Sequence, residues 1–208
     1  MLDGRDDQLV PCPEVVQLRP ADRAEGRAAT DPYRRRLETL DSETVALVRA
    51  RFVAGDPAMG ARFAAIRADV LQRAREPAQL RSDVAAMRAR MRGELDRSRA
   101  GSFDLKQGEG GLVDLEFLVQ ALVLQHAATH PRLAAHTATP ALLESLAAAG
   151  VLAEATASEL RQAHATLLQR ALSCMLDGRP RLVAIDSAIE QARQQVRAAC
   201  CTHGIVTG

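Results

Sequence analysis

The segment from Leu112 to Ala128, LVDLEFLVQALVLQHAA, constrains this chain more than any other. It is nearly all apolar, it runs well past the length of a single strand, and Pro131 closes it. It reads as a buried helix that other helices must cover. Helical patterns lie on both sides. Asp41 is placed to cap SETVALVRARFVA, which stops at Gly55. Asp56-Pro57 starts a helix with Met59, Phe63, Ile66 and Val70 on one stripe, because proline at the first helical position loses no needed hydrogen bond. After Pro77, a second stripe carries Leu80, Val84, Met87, Met91 and Leu95, with charges on the other face and the two methionines read as core. Gly101 to Gly111 reads as a loop. Thr139-Pro140 begins a short helix ending at Gly150, and Thr156 with Glu159 forms a capping-box pattern ahead of a long helix through Met175. Gly178 and Pro180 stop that helix, and Asp186 caps a last one to about Cys200. No alternation marks a strand and no repeat is present. The expected fold is all-α, a bundle of six to seven helices over residues 41–203, with residues 1–40 as a largely disordered lead-in.

Composition narrows the function classes. Hydrophobic residues make up 47% of the 208 but aromatics only 2%, so the core is aliphatic. The 27 basic and 26 acidic side chains nearly cancel, so no global field favours nucleic acid or an anionic membrane. No stretch is long and apolar enough to span a bilayer, and the N-terminus has no signal-peptide pattern. Cys12, Cys174, Cys200 and Cys201 show no disulfide framework, so the expected setting is reducing and cytoplasmic.

The chemistry concentrates in FDLKQGEGGLVDLEFLVQ, Phe103 to Gln120. Glycines followed by Asp-x-Glu evoke a metal-dependent transfer site, but such acids work together on a strand, where period two puts them on one face. Here Asp114 and Glu116 fall in a helix, where residues two apart point about 200° apart. They do not form a two-metal site by themselves. Two readings remain open. In one, the glycine-rich approach exposes backbone N–H groups at the positive end of a helix, where anions are favoured, and Lys106 (the only lysine) reaches a phosphate. In the other, Asp114 caps the first turn and Glu116 pairs with an arginine of a neighbouring helix.

This stretch resembles the signature that follows each catalytic domain in the glutamine synthetase adenylyltransferase/adenylyl-removing enzyme family. The matching residues are Phe103, Asp104, Lys106, Gly110, Gly111, Asp114, Glu116, Phe117 and Gln120. ALVRARFVAGDPAMGARF (Ala46 to Phe63) resembles the segment just before it, and HPRLAAHTATPALLESLAAAGVL with ELRQAHATLLQRAL resembles the family's terminal helices. The resemblance covers roughly residues 45–176. It implies the C-terminal helical part of an adenylylating half, with ATP and magnesium as the family's cofactors and glutamine synthetase as its substrate. Lys106, Gly110 and Gly111 would face the nucleotide phosphates, and Asp114 and Glu116 would order the cleft wall. The family's Gly-Ser and strand-borne Asp-x-Asp have no counterpart in residues 1–45. No catalytic residue and no metal ligand is therefore assigned, the chain alone is expected to be inactive, and it is expected to hold neither cofactor. The alternative is a non-enzymatic helical module that binds glutamine synthetase, a PII-type signal protein or a separate catalytic domain.

Other constellations read as structural. His126 and His130 are four apart with His136 nearby, a spacing that suits zinc, but Pro131 breaks the helix and a helix C-terminus suits histidine. Cys200-Cys201-Thr202-His203 reads as a solvated tail. Arg49 and Arg51 read as surface partners of Asp56 or Glu43.

Overall fold

A computed structural model describes residues 42–205. In chain order the elements are α1 (Ser42–Leu47), α2 (Pro57–Leu71), α3 (Pro77–Leu95), β1 (Ser102–Asp104), α4 (Leu112–His126), a 3-10 helix (Pro131–Ala134), α5 (Thr139–Ala148), α6 (Glu154–Leu176), β2 (Leu182–Ala184) and α7 (Ser187–Thr202). The all-α expectation holds, with seven α-helices among the described residues. The expected lead-in lies outside them. None of the described helices is long and apolar enough to cross a membrane.

α4 is the hub. Twelve of its residues are buried, and α1, α3, α5, α6, α7 and the 3-10 helix all pack on it. Leu115, Leu118, Leu122 and Leu124 are fully buried, each contributing roughly 1.5–3 kcal/mol of transfer free energy. α6 and α7 pack extensively on each other and complete the wrap.

Several helix starts follow from local chemistry. The Asp56 carboxylate accepts the Ala58 N–H at 2.9 Å, with Pro57 at the first position. Glu76 accepts the Gln79 N–H at 2.7 Å ahead of α3, and Asp186 accepts the Ile189 N–H at 2.9 Å ahead of α7. α6 departs from expectation: it begins at Glu154, so Thr156 and Glu159 lie inside it and form no cap. The cause is a tight turn before it. Gly150 adopts φ +70°, and the N–H groups of Val151 and Leu152 return to the Leu146 carbonyl, so the chain has already reversed.

Three further differences matter for the site. α1 ends at Leu47 instead of running towards Gly55; the N–H groups of Val48, Arg49 and Ala50 bond three residues back, a tightening turn. On α3 the third buried side chain after Leu80 and Val84 is Arg88, while Met87 and Met91 are only half-buried and Leu95 is exposed. Finally, the loop expected from Gly101 contains a strand. Ser102, Phe103 and Asp104 pair antiparallel with Ala184, Val183 and Leu182. Three-residue strands are too short to show a period-two pattern.

Candidate functional site

The signature folds as a self-contained knot between β1 and α4. Asp104 starts it. Its carboxylate accepts the N–H groups of Lys106 and Gln107, both at 2.9 Å, and its carbonyl accepts the Gly108 N–H at 2.9 Å. The Phe103 ring lies on Gly108, where a Cβ would come within 2.3 Å of it. The Arg193 guanidinium of α7 sits over the same ring, 4.4 Å from its centroid. Gly110 has φ +81°, and a Cβ there would meet the Arg193 carbonyl oxygen at 2.6 Å. Only glycine satisfies both the left-handed backbone and the approach of α7.

The amides at the start of α4 are spent inside this knot. Gly110 N–H donates to Asp114 Oδ2 at 2.7 Å and Gly111 N–H to the Gly108 carbonyl at 2.8 Å. Leu112 N–H donates to the Leu105 carbonyl at 3.0 Å and Val113 N–H to the Lys106 carbonyl at 3.1 Å. The row of exposed donors that one of the two readings called for is therefore absent at these four positions, because the loop's own carbonyls and the Asp114 carboxylate take them.

Asp114 holds more than a cap. Arg88 Nε donates to Oδ1 at 2.5 Å, and Arg92 Nη2 reaches Oδ1 and Oδ2 at 3.0 and 2.9 Å. Arg88 also donates to the Gln107 carbonyl at 2.6 Å. Arg88 is 1% exposed and Asp114 6%, so this is a buried charge cluster joining α3, the loop and α4. Buried charges persist when they are paired and hydrogen-bonded, as Arg88 and Asp114 are here. α7 closes over it, with Cys200 Sγ 3.7 Å from the Asp114 carbonyl oxygen.

Glu116 faces elsewhere, as the helix geometry requires. Its carboxylate pairs with Arg49 Nη1 at 2.5 Å, at the protein's edge. The expected partner type is correct. Arg49, assigned from sequence to Asp56 or Glu43, is the arginine that pairs with Glu116. His164 of α6 stands near this pair; burial lowers its pKa, Glu116 opposes that shift and Arg49 adds to it. Gln120, one turn on from Glu116, is buried, and its Oε1 has no hydrogen-bond partner among the described residues. Lys106 is half-buried. Its main chain anchors the knot, while its ammonium makes no hydrogen bond or ion pair among the described residues.

These residues do not fit a magnesium ion. Asp114 is saturated by two arginines and an amide, Glu116 is held by Arg49, and the two point to different sides of α4. Among the described residues no group of three or more His, Cys, Asp or Glu is placed to hold a metal, the His126, His130 and His136 set included.

The C-terminal cysteine pair is not a solvated tail. α7 continues through Thr202 and carries Cys200 on its inner face; only Cys201 of the pair is exposed. Burial, reinforced by the Asp114 charge, pushes the Cys200 thiol up to about 12. Thiolate is the reactive form. Iodoacetamide on the native protein at pH 8 is therefore expected to alkylate Cys201 and spare Cys200 and Cys174. Peptide mapping checks this, and rapid labelling of Cys200 would contradict the closed cluster.

Residues 80–176 match the family model described as GlnD PII-uridylyltransferase. Over 151 residues, 73% of the chain, it is 58% identical to a bifunctional glutamine synthetase adenylyltransferase/adenylyl-removing enzyme of Xanthomonas axonopodis pv. citri (strain 306). The helical segment belongs to the glutamine synthetase adenylyltransferase/adenylyl-removing enzyme family. An enzyme of the same name from Stenotrophomonas maltophilia (strain K279a) is 51% identical over 171 residues, 82% of the chain. One from Methylococcus capsulatus (strain ATCC 33009 / NCIMB 11132 / Bath) is 49% identical over 142 residues, 68% of the chain. These matches cover 16%, 18% and 15% of the respective relatives, so the chain corresponds to less than a fifth of each adenylyltransferase.

Proposed function

We propose that this segment is the C-terminal helical part of an adenylylating unit acting on glutamine synthetase in the control of nitrogen assimilation, in the cytoplasm. The reaction would be AMP transfer: a tyrosine hydroxyl oxygen of the synthetase bonds to the α-phosphorus of ATP, pyrophosphate leaves, and the hydroxyl proton is released. Magnesium and its acids would be supplied by a catalytic domain, since residues 1–45 carry no Gly-Ser followed by Asp-x-Asp. In this reading Asp114 and Glu116 order the cleft wall, the Gly110–Gly111 turn sets its edge, and Lys106 approaches the phosphates. The observation that carries the reading is the division of labour in the signature: Asp114 and Glu116 are each paired with arginines, while the Lys106 ammonium stays available to an anion.

The expected result is that purified chain, incubated with ATP, magnesium and glutamine synthetase, yields no AMP mass shift on the synthetase. Robust transfer would overturn the assignment of the metal acids to another domain. A second reading, a non-enzymatic module binding the synthetase, a PII-type protein or a separate catalytic domain, rests on the same paired carboxylates. Pull-down against each partner separates the readings: supply of AMP transfer in trans to a catalytic domain supports the first, and binding without any effect on transfer supports the second.

A further inference from the structure

Arg67 of α2 lies in none of the segments that mark the family, yet it is 6% exposed and deeply engaged. A buried guanidinium ordinarily sits against a carboxylate. Here its hydrogen bonds all go to backbone carbonyls. Nε donates to Leu47 O at 2.7 Å, Nη2 to Val48 O at 2.5 Å and to His136 O at 3.0 Å, and Nη1 to Ala134 O. Leu47 and Val48 lie at the end of α1, and Ala134 ends the 3-10 helix. Both are places where helical carbonyls lack intrahelical partners. One planar fork of five donors thus ties two helix ends together, with sequence separations of 19–20 on one side and 67–69 on the other.

The residue after Val48 is Arg49, whose guanidinium meets Glu116 at 2.5 Å. Arg49 is substantially exposed and its side chain is long, so its encounter with Glu116 depends on where the backbone of residues 47–50 is held. α1 is only six residues long and cannot hold that backbone alone. The next residues, Phe52 to Gly55, are exposed. The Arg67 clamp grips this turn from the inside, beside the buried Leu47 and Val48 side chains.

We propose that Arg67 is a positioning residue for the Arg49–Glu116 pair: by gripping the Leu47 and Val48 carbonyls together with those of Ala134 and His136, it sets Arg49 opposite the outer carboxylate of the signature. Its role in ordering a nucleotide cleft wall rests on the function proposed above, but the clamp is tested without nucleotide or synthetase, so the two fail separately. Lysine keeps the charge but has a single nitrogen and cannot span the four acceptors. In Arg67→Lys, the effect of Glu116→Gln on the urea midpoint is expected to become the same with and without Arg49→Ala, whereas in the parent background it differs. A coupling between Arg49 and Glu116 that survives in Arg67→Lys, however destabilised that protein is, would reduce Arg67 to a general stabiliser and overturn the proposal. A second measurement uses the unmodified protein, should the variant not fold. In native-state hydrogen exchange, the amides of Arg49, Ala50 and Ala135 are expected to open as one unit, with the same dependence on denaturant. Distinct denaturant slopes for the two segments would equally overturn it.

Discussion

Replacing Asp114 with alanine is expected to lower the unfolding free energy by about 3–5 kcal/mol, a large share of a typical domain's stability. The reason is what remains. Arg88, 1% exposed, would keep its charge in the core with only the Gln107 oxygens as partners. The Gly110 N–H would lose its acceptor as well. Urea unfolding followed by circular dichroism measures the loss. Asp114→Leu combined with Arg88→Met is expected to be more stable than Asp114→Ala, because removing both charges of a buried pair removes the desolvation cost along with the attraction. If Asp114→Ala shifts the midpoint by no more than a surface substitution does, the cluster is not the anchor its burial indicates.

The second large effect belongs to Gly110. Gly110→Ala is expected to cost roughly 2–5 kcal/mol, the sum of a left-handed backbone for an L-residue and a clash in a packed region. The obstacle is backbone, since the new Cβ would meet the Arg193 carbonyl oxygen at 2.6 Å and its Cα at 3.0 Å. Relief requires α7 to move away, which would also open the cover over Cys200. Alkylation of Cys200 in Gly110→Ala therefore reports the same event by an independent route. Gly150→Ala is the control. It has a similar φ of +70° with nothing within 4 Å of its Cβ, so it is expected to cost only about 1–2 kcal/mol. Equal losses at the two positions would show that strain alone operates and that α7 does not press on the turn.

Much of the framework is legible in the residues themselves. The α4 run announces a hub because no strand is that long. Asp56, Pro57 and Asp186 declare helix starts because capping is local chemistry, settled within three residues. The divergence of Asp114 and Glu116 follows from helix geometry alone. What could not be read depends on distant partners. Arg88 sits in register with Leu80 and Val84 at four-residue spacing, a hint that it faces inward, but its acid partner lies 26 residues on. The parallel methionines offered an easier stripe, and they turn out to be half-buried. Arg67 is harder still, since its acceptors are main-chain carbonyls, which have no residue identity to recognise. The glycine amides stay open between two readings for a related cause: whether a donor is free depends on which carbonyls the loop folds back, and those of Leu105 and Lys106 give no signal.

The buried cluster also carries a schedule. Its last wall is α7, and Cys200 follows Asp114 by 86 residues. At about 5–20 residues per second, synthesis of that stretch takes roughly 4–17 s. During that interval a nascent chain has made the arginines of α3 and the carboxylate of α4 but not the helix that seals them from water. The knot between β1 and α4 lacks its lid for the same interval, and β1 lacks its partner strand for most of it. Sealing of the cluster thus awaits the last helix, and a chain that stops before residue 187 would leave its central charges wet and its apolar hub uncovered on one side.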